Sequence, residues 1–425
     1  MGFQQGLSGL NATSKNLEVI GNNIANANTY GAKVARAEFS DMYATALSDA
    51  GVNNVGIGTM LSSVAQQFTQ GNISTTANSL DLAINGNGFF QLSSGDGPPE
   101  YSRNGQFKVD RDGYIVNNDQ LKLLGYPADG NGVIQPGTAK PLQLPTAGIA
   151  PHLTSEVDIE MNLDSRSAVT NPGSGVTPQI DFNDPSTYNN ATSLTVYDAK
   201  GQEVAMTYYF QKTATDQWNV YATANGTPVN GTSSDPQPVT SAPIDFLADG
   251  SGTITDVSAL PISIAGPITN ADGASIVTPL DFTLSLKGAT QYGSSFGVTD
   301  LTQDGYAPGQ LTSVTIENDG IVTARYSNGQ SKPAGQLELA TFRNPQGLQA
   351  LGGNVWAATH ASGDPVVGVP SQGNMGTLQA GALEEANIDL TGELVNMITA
   401  QRIYQANAQT IKTEDQVLQT LVNLR

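Results

Sequence analysis

Apolar residues recur at a regular spacing near the start of the chain. They follow steps of three and four residues, with Ser14 and Gly21 at the remaining seam positions, and they are Phe3, Leu7, Leu10, Leu17 and Ile24. This heptad spacing predicts an amphipathic helix from Phe3 to Ile24. Several glycines lie in the segment, and each weakens a helix by about 1 kcal/mol relative to alanine. We therefore expect this helix to be marginal in isolation.

The C-terminal segment repeats the same register. Its seam is interrupted by Gln401 and Asp415, and it contains Leu390, Leu394, Met397, Tyr404, Ala408, Ile411, Leu418 and Val422. Neither Gly nor Pro occurs from Glu393 to Arg425. Asn387 or Asp389 is placed to cap the N-terminus of this predicted helix.

The two stripes predict a coiled-coil-like pair of terminal helices. Either stripe alone is typical of an amphipathic helix packed on its own domain. A pair, however, leaves apolar edges uncovered, and examples are Ile20, Val395, Ile398, Leu421 and Leu424. Neighbouring copies of the chain are the natural cover for such edges. We therefore predict a subunit interface made by Ile20 and the seam residues of both helices.

Between its ends the chain has the pattern of short strands and turns. Two hairpins are predicted, around Asp112-Gly113 and around Asp319-Gly320. Further strands are predicted where aromatic and β-branched residues are frequent, at 194–197, 205–210, 218–222 and 282–286.

Proline-rich and glycine-rich stretches at 127–151 and 227–280 indicate domain crossings and long loops. The predicted fold is multidomain and mainly β with α-helical termini. Nested discontinuous β domains follow the helix pair, and one of them carries an inserted distal β domain. The predicted regions are 1–28 with 385–425 (helical, inner tube), 29–70 with 371–384 (connecting), 71–147 with 303–370 (β, middle layer) and 148–302 (inserted, outer layer).

Composition and charge exclude several classes of protein. The chain has no cysteine, so disulfides, thiolate metal sites and cysteine nucleophiles are excluded. Its net charge of −20 argues against nucleic-acid and anionic-membrane partners. Most of that charge lies in the middle, because 1–50 has three basic against four acidic residues and 383–425 has three against six. We expect no membrane insertion and no cleaved signal peptide.

The search for chemistry finds weak matches only. Gly293 to Gly297 fits the nucleophile elbow of serine hydrolases, with Ser295 as nucleophile and His360 downstream, but the glycine-punctuated segment that follows is not a helix pattern. Neither His152 nor His360 has a partner at metal-ligand spacing. Glu384 and Glu385 are interpreted as solvated charges near a helix start. We predict no enzyme activity, no catalytic or metal site and no cofactor.

The segment from Val19 to Thr29, the stretch from Gln303 to Gly309 and the ending from Tyr404 to Ile411 together resemble one known family. It is the family of flagellar axial proteins of the rod and hook, and within it the hook subunits. The N-terminal signature runs from Val19 to Thr29 and includes Gly21, Asn22, Asn23, Ala25, Asn26, Asn28, Thr29 and, after it, Gly31. The family's usual aromatic after that glycine is replaced by Ala32. Gln303 to Gly309 and the ending Tyr404 to Ile411 are also similar to the family. The likeness covers about 1–126 and 296–425.

The resemblance implies a structural subunit that self-assembles into a curved tube acting as a universal joint between rod and filament. It also implies export by the flagellar type III apparatus and an extracellular place in the flagellum. The implied partners are further copies of the chain, the distal rod protein, the hook cap, the hook-filament junction proteins and the export apparatus. Three alternatives stay open at this point: a rigid distal rod subunit, a secreted β-rich adhesin or carbohydrate-binding module, and a hydrolase using Ser295.

Overall fold

The computed structural model describes residues 2–42, 56–95, 97–173, 177–240, 242–247, 251–254, 259–266, 268–269, 273 and 275–423, with the side chains of 2 and 421–423 left out. The chain divides into two compact units. Unit 1 comprises 1–146, 312–325 and 331–425, and unit 2 comprises 147–311 and 326–330. The four-region division drawn from the sequence stays a prediction.

Unit 1 carries both terminal helices, α1 (Gly2–Ala25) and α2 (Leu390–Asn423), which pack against each other. The predicted pair of terminal helices is therefore confirmed. Asp389 caps α2, because its carboxylate accepts a hydrogen bond from the backbone N–H of Thr391 at 3.0 Å. Asn387, the other candidate cap, instead lies between Val34 and Gln67 and bonds their backbone.

Ten strands of the described chain precede the insertion of unit 2. They are β1 (Ala35–Met42), β2 (Gly58–Gln66), β3 (Ile73–Thr75), β4 (Leu82–Asn85), β5 (Phe89–Ser93), β6 (Glu100–Ser102), β7 (Lys108–Val109), β8 (Ile115–Val116), β9 (Lys122–Pro127) and β10 (Lys140–Pro141). Strands β1 and β2 form an antiparallel pair that packs against α1.

Unit 2 begins with β11 (Glu156–Asp164) and a short 3-10 helix (Pro185–Thr187). Its other strands are β12 (Asn190–Tyr197), β13 (Glu203–Ala214), β14 (Gln217–Ala224), β15 (Thr227–Pro228), β16 (Gly231–Thr232), β17 (Asp235–Pro236), β18 (Ile244–Asp245), β19 (Ala259–Ile264), β20 (Leu280–Ser285), β21 (Thr290–Tyr292) and β22 (Gly297–Gln303).

The chain then continues with β23 (Leu311–Ile316), β24 (Ile321–Tyr326), β25 (Ser331–Leu337), β26 (Leu339–Thr341), a 3-10 helix (Pro345–Gly347), β27 (Gln349–Gly352), β28 (Val355–Ala357), β29 (Val366–Gly368), β30 (Thr377–Ala380) and β31 (Ala382–Glu384). The main sheet follows the order β23-β24-β25-β9-β5-β6-β28-β27. Strand β3 pairs with β31 and β4 with β30, so the segment that leads into α2 is hydrogen-bonded to the N-terminal part of the β domain.

The core of unit 1 lies against this sheet and has two parts. The larger part is mainly aliphatic and contains the fully buried Leu82, Ile84 and Leu92. The smaller part is aromatic, and there the rings of Tyr101 and Phe342 meet edge to face at 4.7 Å between centroids.

The core of unit 2 is filled from strands that alternate buried and solvent-facing residues. Val157, Ile159, Met161 and Leu163 of β11 all point inward, as the two-residue period of a strand requires. Strand β11 pairs in parallel with β20 and β21 and in antiparallel with β22, while β12, β13 and β14 form a second antiparallel sheet. Both predicted hairpins and the four predicted strands are confirmed by β7–β8, β23–β24, β12, β13, β14 and β20.

Candidate functional site

The terminal helices approach each other along a seam that contains glycines. A Cβ added to Gly6 would lie 3.0 Å from Cγ1 of Ile411, and one added to Gly9 would lie 2.9 Å from the Asn407 amide nitrogen. Both distances are shorter than ordinary van der Waals contact. The glycines that weaken α1 as an isolated helix therefore allow α2 to lie close against it.

Farther along, the two helices bury side chains of different sizes and polarities. Thr13 and Ile20 of α1 are buried, and Ala400 of α2 is 2% exposed. Thr13 satisfies its hydroxyl within the helix, by donating to the carbonyl of Gly9 at 2.7 Å.

The observed seam is displaced by one residue from the predicted one. Gly6, Gly9, Thr13 and Ile20 each lie one residue before a predicted seam position. The prediction that Ile20 is an uncovered edge is wrong, since Ile20 is 5% exposed inside its own chain. The physical reason is that the helices approach each other at Gly6 and Gly9, which a pattern of large apolar residues does not count, and this register carries Ile20 into the interior.

As a result, much of the predicted apolar seam faces away from the helix pair. The exposed members, from 38% to 53% accessible, are Phe3, Leu7, Leu390, Leu394, Tyr404 and Leu418. The partly buried members are Leu10, Leu17, Ile24, Met397, Ala408 and Ile411. Val395 and Ile398 are exposed as predicted. The side chains of Leu421, Val422 and Leu424 lie outside the described residues.

Asn23 joins three elements at the C-terminal end of α1. Its amide donates to the carbonyl of Ala35 at 2.8 Å, and its side-chain oxygen accepts from the N–H of Ala35 at 2.9 Å. The same amide nitrogen lies 3.3 Å from the Glu393 carboxylate of α2. Because Asn23 is only 4% exposed, its hydrogen-bonding capacity serves mainly to link α1, β1 and α2.

The turn after α1 depends on Gly31. Its φ of +72° is in the left-handed region, and an added Cβ would lie 2.5 Å from the backbone nitrogen of Asn104. The N–H of Gly31 donates to the carbonyl of Glu384 at 2.8 Å. Ala32, which stands where the family usually has an aromatic, is buried.

The rest of the signature lies mainly at the surface. Asn26 donates to the carbonyl of Asn22, and its backbone carbonyl accepts from the N–H of Thr29, so both contribute to ending α1. Gly21 has no atom within 4 Å of an added Cβ. The side chains of Asn22, Ala25 and Asn28 are exposed, and no contact among the described residues explains the identity of Ala25 or Asn28.

A buried ionic cluster lies where the chain passes between the helices and the β domain; we call it the junction, formed by Lys33, Arg103 and Glu384. Lys33 Nζ lies 2.6 Å from one Glu384 carboxylate oxygen, and Arg103 Nη1 lies 3.3 Å from the other. The Lys33 and Glu384 side chains are 0% exposed and that of Arg103 is 5% exposed. The interpretation of Glu384 as a solvated charge is therefore wrong, because two cations hold it inside the protein.

Further hydrogen bonds tie the junction to the backbone of neighbouring segments. Lys33 donates to the carbonyl of Thr69 at 2.9 Å, Arg103 donates to that of Gly86 at 2.8 Å, and the N–H of Gly71 donates to Glu384 at 2.9 Å. Burial lowers the pKa of Lys33, although the Glu384 carboxylate opposes the shift. Burial likewise lowers the pKa of Arg103.

The sequence patterns missed the junction. Lys33 and Glu384 are 351 positions apart, and a charged residue carries no period that would reveal its burial. Arg103 lies within 1–126, where the sequence resembles the family, and that resemblance is the one available signal. Pairing of β3 with β31 sets Glu384 opposite Ile73.

The structure shows the surroundings of His152 and Ser295, which the sequence analysis considered as candidates for chemistry. The ring of His152 stacks on Tyr306 with 5.5 Å between centroids. Ser295 lies between β21 and β22, so a strand follows it where a nucleophile elbow needs a helix. No cluster of three or more metal-ligating side chains occurs among the described residues. Within that part of the chain, no helix has the length and apolar character needed to span a bilayer.

Family models match the chain in four segments. They are described as "Flagella basal body rod protein" at 3–33, "Flagellar hook protein FlgE/F/G D1 domain" at 83–167, "Flagellar basal body protein FlaE D2 domain" at 162–306 and "Flagellar basal body rod FlgEFG protein C-terminal" at 379–424.

Full-length relatives bear one name. The chain is similar to the flagellar hook protein FlgE of Escherichia coli (strain K12), with 42% identity, and to that of Salmonella typhimurium, with 41%; each alignment covers 100% of both chains. It is 31% identical to the FlgE of Brucella suis over 100% of this chain and 98% of that protein. The crystal structure of Helicobacter pylori FlgE2 has a similar fold, with a TM-score of 0.52 and 14% identity over 73% of this chain and 100% of that one.

Proposed function

Because this chain belongs to the flagellar hook protein FlgE family, we propose that its copies assemble into a curved tube that transmits motor torque from the rod to the filament. The chain is a structural subunit of the hook, and its place is the bacterial flagellum. Its direct partners in the proposal are further copies of itself, the distal rod protein, the hook cap and the hook-filament junction proteins.

The observation that carries the proposal is the exposed apolar surface of the helix pair. Residues such as Leu394 and Leu418 are about half exposed in a single chain, at 46% and 53%. Exposed apolar side chains that recur along a helix favour association, because burying them removes their surface from water. We propose that the terminal helices of adjacent subunits cover these residues and form the inner tube.

We further propose that the two β regions lie outward from that tube, with 148–302 as the outer layer. Most of the net charge of −20 belongs to the β regions, so they remain solvated while the nearly neutral helices associate. Export in an unfolded state through the flagellar type III apparatus fits a chain that has no cysteine to oxidise and a glycine-containing helix that is weak until neighbours order it.

Electron microscopy of the full-length protein, concentrated with ammonium sulfate to strengthen apolar association, tests the assembly. We expect short tubes that adopt curved or supercoiled forms. Rigid straight tubes would indicate a rod-like shaft instead. Monomers alone, with both terminal helices already protected from hydrogen exchange, would contradict the proposal.

A matched pair of variants tests the surface that carries the proposal. Leu394→Gln removes an exposed apolar side chain, whereas Gln405→Ala changes an exposed polar one on the same helix. We expect tubes from Gln405→Ala and none from Leu394→Gln at the same concentration, with unchanged circular dichroism of both monomers. Equal polymerisation of the two variants would contradict an interface at Leu394.

The layered arrangement has a separate test. Replacing about residues 150–295 by a flexible linker removes most of unit 2. We expect the truncated protein to polymerise into tubes of altered curvature. Failure of the truncated protein to polymerise, while the full-length protein does so, would contradict the layered arrangement.

A further inference from the structure

Unit 1 contains a cleft of about 530 Å³. Its walls are mainly apolar and aromatic, and they include Pro98, Tyr101, Leu124, Tyr126, Pro365 and Val367. Val367 is 48% exposed, so the cleft opens to the surface. A concave apolar surface with few polar groups is the usual form of a binding site.

One charged group, Glu338, lines this cleft and is 4% exposed. One of its carboxylate oxygens accepts a hydrogen bond from the Tyr126 hydroxyl at 2.6 Å, and the other accepts from the Gln91 amide at 2.9 Å. Both oxygens therefore accept a hydrogen bond from a neutral side chain. Burial mainly, and the charge of Glu338 in addition, raise the pKa of Tyr101 in the same wall.

Glu338 differs from Glu384, which is also buried in this unit, in the charged side chains around its carboxylate. Among the described residues, no Lys, Arg or His side chain lies within ion-pair distance of the Glu338 carboxylate. Glu384, by contrast, has two such partners. An unpaired buried charge is costly. A cation that enters the cleft therefore forms an ion pair with Glu338 without displacing another cation.

We propose that the cleft receives a lysine or arginine side chain from a second copy of the chain. The aliphatic stem of such a side chain packs on the proline and tyrosine walls, and its charged end pairs with Glu338. The inference rests on the proposed function, since in a polymer of identical subunits the same contact between two surfaces repeats at every pair of neighbours. Exposed cations are present on this unit; the Arg111 side chain, for example, is 94% exposed.

The lack of cysteine in the sequence allows a clean test, because one introduced thiol is the only one. Thr138 lines the cleft on an exposed loop, and Thr138→Cys is labelled with a maleimide in monomers and in ammonium sulfate polymers. We expect labelling to be about tenfold slower in the polymer, as for a site in the core of an interface. Equal labelling rates in monomer and polymer would overturn the docking proposal and leave the proposed function standing.

A benzophenone attached to the thiol of the Thr138→Cys variant then identifies the occupant. We expect cross-linked dimers from polymers, none from monomers, and a cross-linked peptide that contains Lys or Arg. A cross-link to a segment without a cation overturns the proposal, and so does the absence of any cross-link in tubes. If the full-length protein forms no polymer at all, the proposed function and this inference fall together.

The role of the charge has its own matched pair. Glu338→Gln removes the buried charge and keeps the size of the side chain, while Glu317→Gln removes an exposed charge from the same unit. We expect Glu338→Gln, in the Thr138→Cys background, to restore labelling in the polymer to nearly the monomer rate, and Glu317→Gln to leave it about tenfold slower. Equal protection in both variants would overturn the pairing with Glu338. Unchanged Trp356 fluorescence of the monomer, measured in a Trp218→Phe background, shows that the Glu338 variant is folded.

Discussion

The junction and the helix seam are built in opposite ways. The junction of Lys33, Arg103 and Glu384 is buried, charged and tied to several backbone segments. The seam between α1 and α2 contains Gly6, Gly9 and other small residues, and its flanks are exposed. This contrast implies that the junction fixes where the helices leave the β domain within one chain, whereas we propose that neighbouring copies bury the exposed flanks of the helices.

The largest expected effect comes from the junction. Glu384→Gln leaves two buried cations without their counter-charge, which costs about 3–5 kcal/mol of the free energy of unfolding. The two tryptophans of the chain, Trp218 in unit 2 and Trp356 in unit 1, make the measurement specific. In a Trp218→Phe background, urea unfolding followed by Trp356 fluorescence reports on unit 1.

The neighbouring Glu385→Gln is the control for that measurement. Glu385 is partly exposed and has a hydrogen bond from Asn72 at 3.2 Å, so its replacement is expected to change the free energy by no more than about 0.5 kcal/mol. Similar losses in both glutamine variants would show that the junction is not a special source of stability.

The seam provides the second test. Gly9→Leu places a large side chain where an added Cβ already lies 2.9 Å from Asn407, and overpacking of this kind costs about 1–3 kcal/mol. Because the cost falls on the helix pair, we expect loss of tubes in electron microscopy with little change in the urea unfolding of the β domain.

Gly21→Ala is the matched control for the seam. No atom lies within 4 Å of its added Cβ, and alanine stabilises a helix by about 1 kcal/mol relative to glycine. This variant is therefore expected to form tubes and to have higher helix content by circular dichroism. Tubes from Gly9→Leu as well would contradict the close approach of α1 and α2.

A third test asks whether the part of the chain that the junction fixes extends to the C-terminal end of α1. Asn23 and Asn22 are neighbours in the signature, but Asn23 is buried between three elements while Asn22 is exposed. Asn23→Ala leaves the backbone N–H and carbonyl of Ala35 without these side-chain partners, which costs about 1–3 kcal/mol. Asn22→Ala is expected to cost less than about 0.5 kcal/mol in the same urea unfolding assay. If Asn22→Ala cost more stability than Asn23→Ala, the part of α1 that is fixed within one chain would end before Asn23.

The smallest effect is expected from pH. Burial, together with the hydrogen bond to Glu338, raises the pKa of Tyr126 to about 12, against an unfolded value of 10.0. The folded state then holds its proton more tightly, so the contribution of Tyr126 to stability is complete below pH 10 and is lost as the pH rises towards 12. We expect the free energy of unfolding of unit 1 to fall over this range, and to fall less in Tyr126→Phe. An equal fall in both proteins would contradict the role of Tyr126.

The sequence by itself determined the elements that depend on local periodicity. The heptad stripes placed α1 and α2 within a few residues, and the Asp-Gly turns placed β7–β8 and β23–β24, because each signal lies within one contiguous segment. Family-like motifs such as Asn22-Asn23 were also visible in the sequence, although their physical roles were not.

Only the tertiary structure decided which faces meet. The seam of α1 lies one residue away from the apolar stripe, because α2 approaches α1 closely at Gly6 and Gly9, and hydrophobic patterns do not count glycine. Glu384 was expected in water and lies buried between Lys33 and Arg103, because strand pairing brings residues from distant parts of the chain together. The buried carboxylate of Glu338 was equally invisible, since burial of a charge is a property of its three-dimensional surroundings and not of its neighbours in sequence.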